Sequence, residues 1–191
     1  MGLTPLVAPA VEPVTLAESK LQCRQDGSAD DTLITALIVA ARQSAENRTG
    51  RALVTQQWRF DLDRFPVDTL ELPLPPLQSV QSLTYLDGDG VRQTLAASEY
   101  EVIANETPGV VLPAYGKSWP ACRQTPGSVQ ISFTAGYGAA ANVPQAIKQW
   151  MLLNIGTWYD HRESVDVGSS TEPAVMPYTE ALLDPYRIIR F

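Results

Sequence analysis

Apolar positions along this chain follow two periods, and the change from one to the other organises it. From Asp30 onward, Leu33, Leu37, Ala40, Ala41 and Ala45 recur at three- and four-residue steps, with Ile34 and Ile38 widening the stripe. That spacing predicts an amphipathic helix over 29–49. Ser28 is its predicted N-cap, Asp30 and Asp31 suit the positive end of its dipole, and Gly50 suits its C-terminal stop. After Leu53 the period drops to two. Val54, Trp58, Phe60 and Leu62 fall on one face of a strand, and Thr55, Gln57, Arg59 and Asp61 on the other.

Short strands continue the pattern. Val80–Leu86 and Val91–Leu95 flank Asp87-Gly88-Asp89-Gly90, a hairpin signal. Tyr100–Ile103 and Val110–Leu112 are split by Pro108-Gly109, and Val129, Ile131 and Phe133 alternate with polar neighbours. Helical spacing returns at Pro144. Ile147, Met151, Ile155 and Trp158 share a face, with Trp150, Leu152 and Tyr159 beside it, so a helix is predicted over 144–162. Gly156 inside it is expected to permit a close crossing. Upstream, Thr15 and Glu18 stand at the spacing of a capping box, which predicts a helix over 15–24.

The expected class is therefore α+β. A single domain over 15–162 carries a helical core and an antiparallel β insertion over 52–135, since strands grouped together argue against a βαβ array. Residues 1–14 hold three prolines and read as an extended arm. Residues 163–191 read as a linker and a tail. The tail ends in Tyr186-Arg187-Ile188-Ile189-Arg190-Phe191, an apolar finish in a place where polar residues are usual. Two uses are open to it: folding back on its own domain, or docking on another chain by strand addition. The alanine-bearing face of the long helix leaves a similar pair open, a core face or a subunit interface.

Composition narrows the function. The net charge is −7, which disfavours tight binding to a phosphate backbone. Charged residues make up only 18%, as suits surface kept for protein partners. No apolar run approaches the roughly 18 residues of a membrane helix. The N-terminus has no basic region followed by an apolar core, so no secretory leader is expected. Cys23 and Cys122 fit no zinc spacing and predict two reduced thiols.

The search for chemistry predicts no catalytic residue, no metal site and no cofactor. The one histidine, His161, falls at a helix end. Asp87-Gly88-Asp89-Gly90 fails the calcium-loop frame, because Val91 and Ser98 stand where ligands are needed. Gly136-Tyr137-Gly138 lacks the dinucleotide frame. The carboxylates of Asp61, Asp63 and Asp68 are the one cluster on which a small hydrolase could be built.

One ordered set of short motifs carries a resemblance. It runs from Thr15-Leu16-Ala17-Glu18 through Asp30-Asp31-Thr32-Leu33-Ile34 and Thr49-Gly50-Arg51-Ala52-Leu53 to Trp58 and Leu62. It continues with Leu72-Pro73, Pro75-Pro76-Leu77-Gln78-Ser79-Val80, Tyr85-Leu86-Asp87, Tyr115-Gly116-Lys117-Ser118-Trp119-Pro120 and Phe133-Thr134-Ala135-Gly136-Tyr137-Gly138. Val143-Pro144, Ile147-Lys148-Gln149, Trp158-Tyr159 and Leu182-Leu183-Asp184-Pro185-Tyr186-Arg187 complete it. In this order the chain resembles the head–tail connector (portal adaptor) proteins of long-tailed bacteriophages, prophages and gene-transfer agents. The Pro-rich arm of residues 5–13 lies outside the matching pattern.

The resemblance implies a structural, non-enzymatic protein of the virion neck, made in the host cytoplasm before assembly. It implies a homo-oligomeric ring, commonly twelve-fold, that binds the portal protein and meets stopper or tail-terminator proteins. DNA would pass through without specific binding. The tail residues Asp184, Pro185, Tyr186, Arg187, Ile188, Ile189, Arg190 and Phe191 are the expected portal contact. Ile34, Leu37, Ile38, Ala41, Trp150 and Trp158 are the expected ring interface. The alternatives are another neck or tail-completion protein and, in a different class, the small hydrolase.

Overall fold

The computed structural model describes residues 2–161 and 177–188. Residues 163–176 of the linker expected over 163–178, and Ile189, Arg190 and Phe191 of the tail, lie outside the described residues. The chain is α+β, as the periodicity predicts. It divides into two compact units, one of Met1–Ala10 with Val54–Gly138, the other of Val11–Leu53 with Ala139–Phe191.

The first unit is built of antiparallel sheet. Strands β1 (Gly2–Val7), β2 (Gln56–Leu62), β4 (Leu77–Leu86), β5 (Arg92–Thr94) and β8 (Val129–Ala135) form one sheet in the order β1-β2-β8-β4-β5. Strands β3 (Leu70–Glu71), β6 (Tyr100–Ile103) and β7 (Val110–Pro113) form a second in the order β3-β7-β6. Period-two alternation sets the register of the first sheet. Trp58, Phe60 and Leu62 stand opposite Phe133, Ile131 and Val129, so each apolar residue meets another on one face. Ile131, Phe133, Leu83 and Val111 are fully buried. The predicted hairpin joins β4 to β5. Asp87 Oδ1 accepts from the Asp89 and Val91 amides at 3.1 and 2.9 Å, and Oδ2 accepts from Gln93 Nε2 at 2.8 Å. These bonds, the Gln93 one first, hold the Asp87 carboxyl below the usual carboxylate range.

The proline-bearing N-terminal segment contains a strand. β1 lies antiparallel on β2, with Leu3 opposite Phe60 and Thr4 opposite Arg59, and an irregularity between Pro5 and Val7. An edge position tolerates Pro5, whose missing N–H would break an interior ladder. At the other end of the insertion, β8 leaves through Gly136 at φ +119°. The chain passes so near itself there that a Cβ on Gly136 would stand 2.3 Å from the Val54 carbonyl oxygen.

The second unit is helical: α1 (Leu16–Gln22), α2 (Asp31–Thr49), α3 (Gln145–Asp160) and a short α4 (Pro177–Ala181). The capping box of α1 is complete. The Glu18 amide donates to Thr15 Oγ1 at 3.1 Å, and the Thr15 amide donates to Glu18 Oε2 at 2.6 Å. The Thr15 backbone bond, followed by its side-chain bond, holds the Glu18 carboxyl low. α2 starts three residues after the predicted cap Ser28; its N-cap is Asp30, whose carboxylate accepts from the Tyr159 hydroxyl. Gly50 ends α2 in the left-handed region at φ +69°. Ile34, Ile38, Ala41 and Ala45 of α2 close a core with Ile147, Trp150, Met151 and Ile155 of α3. Gly156 is buried where α1 passes, and a Cβ there would meet Gln22 at 3.4 Å.

Candidate assembly surfaces

Three surfaces stand out, and each follows from local sequence. The first is a C-terminal anchor on the end of α2. After α4 the chain makes a 3₁₀ turn at Asp184–Tyr186. Leu183, just before it, is fully buried in the helical unit. Arg51 Nε donates to the Tyr186 carbonyl at 2.6 Å, and the Ile188 amide donates to the Thr49 carbonyl at 2.9 Å. A terminal carbonyl of α2, which has no partner within the helix, is thereby satisfied by the tail. Glu180 receives Arg48 at 2.5 Å and Arg187 at 3.4 Å, while the Arg48 guanidinium lies 5.4 Å from the Trp150 ring centre. Of the expected portal contacts, Asp184, Pro185, Tyr186, Arg187 and Ile188 are therefore gathered at one place. Up to Ile188, the described tail folds back on its own unit.

The second surface is the outer face of α2. Thr32, Leu33, Ala36, Ala40, Gln43 and Asn47 are exposed, and none carries charge. A solvated helix face normally carries charged residues. The expected ring residues lie elsewhere. Ile34, Ile38, Ala41 and Trp150 are at most 3% exposed, enclosed in the unit's own core. Leu37 and Trp158 are half-buried. The apolar stripe marks the face that folds, and the opposite face is without charge at Thr32, Leu33, Ala36, Ala40, Gln43 and Asn47.

The third surface is in the β unit. Trp119 stacks on Phe65 at 4.8 Å between ring centres, and its Nε1 donates to the Asp68 carbonyl at 3.2 Å. These contacts shape an open cleft of about 570 Å³ between residues 67–69 and 112–119. Tyr115, 99% exposed, and Val67, 93% exposed, stand at its rim.

Two of the three candidate hydrolase carboxylates, Asp61 and Asp63, carry structural bonds. Asp61 pairs with Arg59 at 3.1 Å, and Asp63 Oδ1 accepts from the Gly127 amide at 3.2 Å. Among the described residues no three metal-ligating side chains gather. His161 is exposed after the end of α3. Elsewhere in the helical unit, Arg42 is bound by Glu12 at 2.8 Å and by Glu46 at 2.7 Å. Burial pushes the Glu12 carboxyl up despite the guanidinium beside it.

Comparison with known proteins gives one family match and several whole-chain structural matches. Residues 13–85 match the profile of the phage gp6-like head-tail connector protein family. The whole chain superposes on 97% of a chain from the neck of an empty gene transfer agent (GTA) particle computed with C6 symmetry, with TM-score 0.82 and 26% identity. It superposes equally fully on chains from the virion of a native particle, TM-score 0.81, and from a native neck computed with C12 symmetry, TM-score 0.75, each at 26% identity. No curated protein matches the chain. The resemblance read from the sequence and the α+β class are both borne out.

Proposed function

We infer, from the premise that this chain is a head–tail connector with the fold of a gene-transfer-agent neck protein, that it works as a ring-forming adaptor on the portal. The end-to-end match to a neck chain carries the reading, because it includes the C-terminal segment as well as both units. In this reading the ring joins the DNA-filled capsid to the stopper or tail. Its task is assembly, and it has no catalytic role.

The anchor supports the portal contact. Leu183 is buried in the helical unit, and Tyr186 and Ile188 are bonded to Arg51 and Thr49 at the end of α2. By sequence the residues that follow are Ile189, Arg190 and Phe191, two apolar groups around a cation. The uncharged outer face of α2 supports lateral packing, since copies each bearing −7 meet with least repulsion where charge is absent. The same net charge keeps DNA from adhering to a channel wall, an effect repeated by every copy in the ring.

Removing residues 189–191 tests the portal contact while sparing Leu183, Tyr186 and Ile188. The truncated chain should keep its thermal midpoint and lose attachment to portal-bearing heads. Normal attachment by the truncated chain refutes this part of the reading.

A further inference from the structure

The N-terminal strand β1 is joined to its unit in an unusual way. All six of its residues are exposed, so backbone pairing with β2 holds it and side-chain burial contributes little. Leu3, Leu6, Val7 and Val11 are 37–56% exposed. From Gly2 to Val11 the segment carries no charge, in a chain of net charge −7. Edge strands are normally protected by charges, bulges or cover. Here only Pro5 and the irregularity before Val7 offer any protection.

The arm also has a clear root. Glu12 is held by Arg42 at 2.8 Å, and Pro13 and Val14 are buried in the helical unit. Between Val7 and Glu12 run only residues 8–11, stiffened by Pro9. This link reaches about 17 Å when extended. The arm is therefore a short, weakly buried strand on a stiff link, beside an acceptor edge whose register it already matches. Every copy presents the same β2 edge, and exchanging an identical element between copies costs little.

We propose that β1 is an exchangeable arm: in the assembled ring, residues 2–7 of one copy pair with β2 of the next copy. This rests on the ring reading above. The partner is a second copy of this chain, because the acceptor is a strand whose match to β1 is already on view, Thr4 to Arg59 and Val7 to Gln57. Exchange turns an exposed uncharged strand into a strap between neighbours. It also requires the neighbouring β2 edge to lie within the link's reach of Glu12.

Two single variants, Thr4→Cys and Arg59→Cys, each with Cys122→Ser, test this when mixed in equal amounts and assembled on heads. Cys23 is buried and stays. Cross-strand partners lie at disulfide distance. Oxidation of mixed rings should give dimers joining one variant to the other. A chain carrying both substitutions should give a covalent ladder in rings and a single-chain species when free and dilute. Single-chain species alone in oxidised rings overturn the exchange while leaving the ring reading intact. If the wild-type chain forms no rings on heads, both fall. The pair Val7→Cys and Gln57→Cys repeats the test at a second register position. Should the cysteine variants not assemble, deletion of residues 2–7 decides. The exchange predicts loss of rings with the chain still folded, and normal rings overturn it.

Discussion

Substituting Leu183→Ala should release the C-terminal segment without unfolding the helical unit. Leu183 is fully buried, and the rest of the anchor is sparse. Removing the buried side chain costs about 2–3 kcal/mol in lost burial before any cavity term. The Ile188 to Thr49 hydrogen bond contributes on the order of 1 kcal/mol, and the charge-assisted bond from Arg51 to Tyr186 roughly 1.5–3 kcal/mol. The exposed ion pairs of Glu180 add about 0–1 kcal/mol each. The anchor is a local structure that the cavity can open on its own, so the loss falls on the segment. An opening made easier by 2–3 kcal/mol speeds hydrogen exchange about 30- to 150-fold. The Ile188 amide, bonded to Thr49, reports it directly. Amides in the middle of α2 and α3 should exchange as in the wild type, and attachment to heads should weaken. Equal acceleration at Ile188 and in the middle of α2 would show instead that Leu183 belongs to the global core.

Other consequences follow from single contacts. Gly136→Ala should abolish folding of the β unit or lower its thermal midpoint steeply, since the residue sits at φ +119° with the Val54 carbonyl oxygen 2.3 Å from the new Cβ; near-normal melting counts against the close passage. Thr15→Ala should cost about 1 kcal/mol in denaturant melts through loss of the α1 cap, and a change under a few tenths would rule the cap out as a stabiliser. Glu12 has a folded pKa raised above 4.5 by burial, so the stability it contributes is present below the unfolded value and is lost as pH rises through the folded one. Glu12→Gln should therefore gain stability relative to the wild type as pH rises from 4 toward neutrality, and a difference flat in pH refutes the shift.

The sequence was most readable where local chemistry and burial agree. The capping box at Thr15 and Glu18, the stop at Gly50, the turn at Asp87–Gly90 and the alternation of Val129, Ile131 and Phe133 each carry a local cause. β1 was harder to read, because Gly2–Val7 shows no alternation, contains Pro5 and pairs with residues fifty or more positions away. The start of α2 was misplaced because Asp30 is engaged by Tyr159, a partner that only the tertiary fold brings near. The apolar stripe of α2 left a core face and a subunit interface open, and Ile34, Ile38 and Ala41 of it are buried in the helical unit's own core. The tail was legible as unusual. Its fastening on Thr49 and Arg51 was not, since nothing local links residues 186–188 to the end of α2.

A chain that rings the portal leaves a visible ring on the portal vertex. Electron micrographs of the wild-type protein mixed with portal-bearing, tailless heads test it most directly. Extra density is expected at the portal vertex alone, with rotational symmetry and with the C-terminal end of α2 turned toward the portal. Heads that remain bare at that vertex, or that bind the protein elsewhere on the capsid, would contradict it.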